Sequence, residues 1–377
     1  MKKIIFLLLG CFPLIIIAQN SYTVCNTPGV VADFASLQTA VDNVAPGSIL
    51  YIFPGTNNYG SITISKRLNI LGTGYMLDQN SEPATSPNTS GVVLDAFNFK
   101  PGSDNSLIEG LQFTANDATS SNNIYRLILD SVANITINRC FINLHDNGNP
   151  GNVLFYTRNA GNCIFNQCYL LMASPTVTHN LSGLFQEVGT GSNLQFNNNI
   201  IDGKYDATGF TMNQLPYNFL EPHGNIVFTN NTIIANLNQS RFCYYTYINN
   251  FFINIKPSEV IDPTAIQMNA ATAANNITDA PNLFPAGTSN QQNANINSIF
   301  VSSTFGYHSP EQKWMVQPGS FANTYGAGGI QCGAYGGTHP YVLSGIPNLP
   351  YTYALTVATD TTLHGNVLLR IKAKASN

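Results

Sequence analysis

Charge is scarce in this chain: 9% of its 377 residues are Asp, Glu, Lys or Arg, against about 25% in an ordinary soluble domain. The 15 basic and 19 acidic residues leave a formal charge of −4, and no Lys/Arg cluster stands out. Nucleic acid is therefore not an expected partner, because phosphate binding draws on clustered cations. Beyond residue 18 there is no apolar run near the ~20 residues of a transmembrane helix, so no membrane span is expected. The seven cysteines contain no C-x₂-C pair, which removes the usual structural zinc spacing. Also missing is any long i, i+3, i+4 apolar pattern; Gly and Asn interrupt every candidate, which excludes helical repeats.

The first 18 residues read as a signal peptide. Lys2-Lys3 is followed by an almost wholly apolar Ile4 to Ile17 and then Ala18-Gln19-Asn20, the order of a leader cleaved after a small residue. Leu8-Leu9-Gly10-Cys11 also resembles a lipoprotein box, but the apolar run continues past it. Cleavage near Ala18 is the reading preferred, with a secreted or cell-surface destination. Without the leader's two lysines the balance is 13 basic to 19 acidic residues.

What the chain does contain is a repeat. Segments starting at Ser106, Asn134, Asn162, Asn193 and Asn225 align, at spacings of 28 to 32 residues. Each alternates apolar and polar residues, the period of a strand. Repeats of this length that cannot bury an apolar face alone stack into a β-solenoid, here of roughly ten coils at ~25–30 residues per coil. Ahead of them, Asp33 is placed to cap a short helix with Phe34, Leu37, Val41 and Val44 on one face, stopped by Pro46-Gly47. Such a helix would cover the open end of the stack.

The passage from Ala32 to Gly55, with its amphipathic helix, Pro46-Gly47, strand and Pro54-Gly55, resembles the opening of pectin lyase-like, right-handed parallel β-helix proteins. Ser61 to Gly72 continues the resemblance, and Gly326 to Gly337 is similar to a closing coil. The implied fold is all-β: a right-handed parallel β-helix over residues 19–346 with an N-terminal capping helix. Residues 347–377 are expected to form a C-terminal β-hairpin cap, from two strands around a Thr361–Gly365 turn. The family includes lyases, hydrolases and non-enzymatic adhesins, so the resemblance implies fold more than activity.

Two columns of side chains are expected. One aligns Gly74, Gln112, Cys140, Cys168, Asn199, Asn231 and Asn250 inside the stack, where asparagines satisfy one another and the backbone. Cys140 and Cys168 in neighbouring coils, about 4.8 Å apart, suit either a disulfide or a ladder of buried thiols.

The second column aligns Asp130, Thr157, Glu187 and Glu221, with Arg158 and His223 beside them. Polysaccharide lyases of the resembled family hold calcium between carboxylates and the substrate's uronate, and a Lys or Arg removes the proton α to it. That resemblance implies Asp130, Glu187 and Glu221 as calcium ligands. It also implies Arg158, Glu187, Glu221 and His223 as the catalytic set. The alternative is that Asp130 simply pairs with Arg158 on a solvent-facing strand. Arg370-Ile-Lys372 repeats a polygalacturonase motif without its companion signatures, so a lyase is favoured over a hydrolase. His145-Asp146 lacks a nucleophile and is weak.

Excursions between the coils (78–90, 143–152, 173–180, 202–217 and 236–241) share one phase and should emerge on one face, often the binding face of a solenoid. The expected function is an exported monomer that binds, and if enzymatic cleaves, an extracellular polysaccharide. The competing function is a non-enzymatic adhesion protein that binds a partner through its loops.

Overall fold

The computed structural model describes residues 19–80, 91–114, 125–143, 153–171, 183–187, 191–203, 224–235, 237, 245–254, 272–285, 288–301, 309–348, 350–357 and 369–375. The chain forms a right-handed parallel β-helix with three sheets of ten, five and eight strands, here sheets A, B and C. A coil runs through Leu107–Glu109 of sheet A, turns at Gly110, continues as Gln112–Thr114 of sheet C and returns through Leu127–Asp130 of sheet B. Every pairing among these sheets is parallel, as in Ile137 beside both Ile108 and Phe165.

Four of the five aligned repeats are in register: Cys163 pairs with Leu194, and Asn193 with Asn225. The first is displaced by one residue. Leu107 faces Thr136, so Asn105 rather than Ser106 lies beside Asn134, whose side chain reaches it at 3.1 Å.

Helix α1 spans Leu37–Asn43 and buries Leu37, Ala40 and Val41. Ser36 caps it by accepting from the Thr39 N–H, not Asp33, whose carboxylate instead accepts from the Thr23 N–H and hydroxyl. Gln38 bonds both backbone groups of Thr63 at 2.8 and 3.1 Å. Its amide thereby imitates a neighbouring strand at the open end of sheet B, the protection an edge needs.

Inside the stack, Phe165, Phe196, Phe228 and Tyr247 lie on consecutive sheet A strands with rings 4.7–5.1 Å apart. The asparagine column is present from Asn199 through Asn231 and Asn250, and continues into Asn276 and Asn290. It is preceded by Cys168 and Cys140 and, one residue earlier than expected, by Leu111 rather than Gln112, which pairs with Phe141. Cys140 and Cys168 are free and fully buried. The thiol ladder is therefore the outcome.

Sheet C is buried on both faces: Thr232–Ala235 and Phe251–Asn254 have no exposed position. Its inner side joins the main core, and its outer side packs against Phe300, Trp314, Ala322, Cys332, Ala334 and Tyr341. Gly326 to Gly337 therefore does not close the helix as a coil. Residues 326–348 form a strap running back along the stack. Gly333 bonds Asn249, Pro340 accepts from Gln167, and Ile346 accepts from Arg139.

The strap meets a column of residues in the left-handed backbone region, Arg139, Gln167, Asn198, Asn230, Asn249 and Asn275, with φ of 50–59°. That conformation suits Asn better than most residues, and it aims the side chains at the strap. The strands Pro350–Val357 and Leu369–Ala375 form the expected antiparallel hairpin. Its lead-in, Ile346–Pro347, lies beside Arg139 and Gly110. The tether is thus on the flank of the early coils.

Candidate functional site

Sheet B consists of Ser61–Ile64, Ala96–Phe99, Leu127–Asp130, Val153–Arg158 and Gly183–Glu187. Alternation puts Phe97, Phe99, Leu127, Leu129 and Phe155 in the core and the residues between them on the outer face. Two of the expected excursions, 143–152 and 173–180, fall between a sheet C strand and the next sheet B strand, as does 115–124, whereas 78–90 falls between Asn69–Leu71 of sheet A and Val93–Leu94 of sheet C, so the excursions do not all share one phase.

The register resolves the second column differently from its sequence alignment. Arg158 is the partner of Asp130, whereas Thr157 pairs with Leu129 on one side and Glu187 on the other. Thr157 is fully buried, and its hydroxyl has no hydrogen-bond partner among the described residues. It is a core residue, not a ligand. Asp130 and Glu187 therefore differ by one register position and do not share one column. Glu221 and His223 lie outside the described residues.

Asp130 sits between two cations. The Arg158 Nε donates to its Oδ1 at 2.7 Å and Nη2 to its Oδ2 at 2.5 Å, the bidentate fork of a strong ion pair. Lys100, just past the strand end at Phe99, lies 4.0 Å away on the other side, and the Ser131 hydroxyl donates at 3.1 Å. The Arg158 side chain is 48% exposed and Lys100 41%, against 15% for Asp130. The Arg158 hydrogen bonds hold the Asp130 carboxyl below its usual range, helped by Ser131 and the charge of Lys100. Asp130 in turn holds the guanidinium proton more tightly.

This pairing corrects two expectations. Arg158 fits poorly as a proton-abstracting base, because both arms of its fork are engaged by Asp130 and a guanidinium is near-permanently charged. Asp130 does not fit as a calcium ligand, because both of its oxygens are engaged by the guanidinium. Among the described residues no group of three or more His, Cys, Asp or Glu could hold a metal.

Next to the charged column, Asn98, Ile128 and Tyr156 are register partners along the outer face. Tyr156 packs its ring 5.2 Å from that of Tyr125 at 51°. Two adjacent tilted tyrosines, two exposed cations and a shielded carboxylate thus share one surface of three adjacent strands, two strand spacings or roughly 10 Å. Alternating residues 125–130 and 153–158 carry this information, but only the register distinguishes an outward Arg158 from an inward Thr157.

No family model matches the chain, and no curated protein matches it. Among solved structures, the crystal structure of pectate lyase Pel9A is similar over 84% of this chain and 96% of that one, at 13% identity and a TM-score of 0.47. The fold rests on the strand register described above, and no chemistry is drawn from this likeness. No helix among the described residues is long and apolar enough to cross a membrane.

Proposed function

We propose that the chain is exported after cleavage near Ala18 and binds an extended extracellular polysaccharide across the outer face of sheet B. The observation that carries this reading is the conjunction of Lys100, Asp130 and Arg158 with the Tyr125–Tyr156 pair on the face next to the coil excursions. Sugars offer a ring face to stack on tyrosine and hydroxyls or carboxylates that bond to cations. Successive strands repeat those partners at about 4.8 Å.

Binding is favoured over cleavage because Asp130 engages Arg158, the base expected from the resemblance. Affinity electrophoresis through a panel of neutral and acidic polysaccharides tests the proposal. Retardation by at least one gel, lost in Tyr156→Ala and in Arg158→Ala proteins with intact circular dichroism, is expected. Retardation equal in wild type and both variants contradicts it, as does no retardation by any polysaccharide; either result favours the adhesion reading. Chelator in the same gels separates a cation-dependent acidic glycan from a neutral one. Unsaturated uronate absorbance in the eluate would restore a lyase.

A further inference from the structure

Glu311 is a fully buried carboxylate at the junction of three parts of the chain. Asn80, which ends the second coil's described stretch, donates to its Oε2 at 2.8 Å. Tyr341 and Ser344 belong to the strap. The Tyr341 hydroxyl donates to Oε1 in a short bond, and the Ser344 N–H reaches both oxygens at 3.2 Å. Tyr341 is bonded in turn to the hydroxyl of Tyr75, on the turn between sheets A and C. Asn80 is fixed from the other side by Ser309 and Ser344, at 2.8 and 2.5 Å.

No ion pair reaches Glu311 among the described residues. The titratable groups facing it are Tyr75 on the turn, Tyr169 on sheet C, and Tyr335 and Tyr341 on the strap. Asp202 lies behind Tyr169, whose hydroxyl donates to it at 3.0 Å. On Glu311's own segment, Lys313 is stacked 4.6 Å from the Trp314 ring. The ion pair of Glu109 and Arg139 lies farther along the strap, where Arg139 donates to Ile346.

We propose that Glu311 is a protonation-controlled latch that holds the strap, and with it the lead-in to the C-terminal hairpin, against the coil stack. A charged carboxylate buried without a cation is costly even when hydrogen-bonded. Its protonated form retains an acceptor oxygen for Tyr341 or Asn80 and removes the charge. Burial raises the Glu311 pKa above its usual range, opposed by the bonds from Tyr341, Asn80 and Ser344. The sign follows from linkage: a group that binds its proton more tightly when packed stabilises packing at low pH. That contribution declines as pH rises from the ordinary carboxylate range through the raised one, and is constant above it. The latch closes in acid and loosens toward neutrality. The coil stack, whose ladders do not involve Glu311, keeps its structure throughout.

The chain's single tryptophan, Trp314, is buried three residues from Glu311 within the layer covering sheet C. Acrylamide quenching of its fluorescence reports locally on that layer, while far-ultraviolet circular dichroism reports on the coils. Between pH 3.5 and 8, the wild-type quenching constant is expected to rise several-fold with a single titration and unchanged dichroism. Glu311→Gln, neutral at every pH, should remain at the low-pH value. Tyr341→Phe, which removes a donor to the carboxylate, should move the midpoint to higher pH. A flat wild-type profile, or an unaltered titration in Glu311→Gln, overturns the proposal. If Glu311→Gln does not fold, an unmoved midpoint in Tyr341→Phe overturns it equally.

Discussion

Asn198 and Asn199 are neighbours in the chain and serve opposite sides of the same turn. Asn198, at φ 56°, donates outward to the strap carbonyls of Ala334 and Gly336 at 2.9 and 2.6 Å. Asn199 donates inward to Phe165 O and to Asn231 Oδ1, at 2.9 and 3.0 Å. Asn231, Asn250 and Asn276 repeat the inward role, and Asn249 and Asn275 turn outward, Asn249 accepting from the Ala327 N–H and Asn275 donating to Tyr325 O. One dipeptide therefore stacks the coils and also supplies the turn that the strap lies along.

Substitutions at Asn198 should separate conformational strain from bonding. Asn198→Gly loses the strap bonds but accepts the left-handed turn freely, whereas Asn198→Ala loses both. The alanine variant should be less stable by about 1 kcal/mol more, the cost of the left-handed region for a residue with a Cβ. Urea unfolding measures that difference. Amide exchange in residues 334–337 should accelerate in both variants.

Asn231→Ala should be more damaging, because it is fully buried and bonds to coils on both sides. It deprives Phe196 O of a donor and the Asn199 N–H of an acceptor. Leaving such groups unpaired costs about 1–3 kcal/mol each. A drop of about 3 kcal/mol or more in unfolding free energy is expected from urea denaturation.

The thiols should be inert in the folded protein. Burial pushes Cys168 up to about 12 and Cys163 to about 11, far from a reactive thiolate. Iodoacetamide at pH 8 should leave Cys140, Cys163 and Cys168 unmodified until denaturant is added, as peptide mass spectrometry would record.

Asp130 should titrate abnormally low. Its lowered folded value means that the Arg158 pairing is present above the ordinary carboxylate value of about 3.9 and is lost only as pH falls through the lower, folded one. Carbon-detected NMR of the carboxyl should place the midpoint below that of a model Asp, and Arg158→Gln should return it upward. Because the Arg158 side chain is half exposed, Arg158→Gln should leave the melting temperature nearly unchanged.

Much of the β-helix was legible from residues such as Phe165, Phe196 and Phe228, whose spacing and alternation recur without interruption. Sheet C carried a readable signal too: Thr232-Ile-Ile-Ala and Phe251-Phe-Ile lack alternation, the mark of a strand buried on both faces. The strap was not legible, because the outward role of Asn198 depends on a segment well over a hundred residues away. Gly326 to Gly337 has the same Gly-rich composition whether it closes a coil or runs along one. The alignment of Asp130 with Thr157 was off by a single step of register. Between Leu129-Asp130 and Thr157-Arg158, a shift of one residue converts an ion pair into an apparent column of ligands.

The most direct measurement is amide hydrogen exchange with and without whichever polysaccharide retards the protein in affinity gels. Ligand-dependent protection should concentrate at residues 127–130 and 155–158 of sheet B, and Arg158→Ala should abolish it. Protection confined to sheet A or the strap, with sheet B unchanged under saturating ligand, would contradict a glycan site on this face.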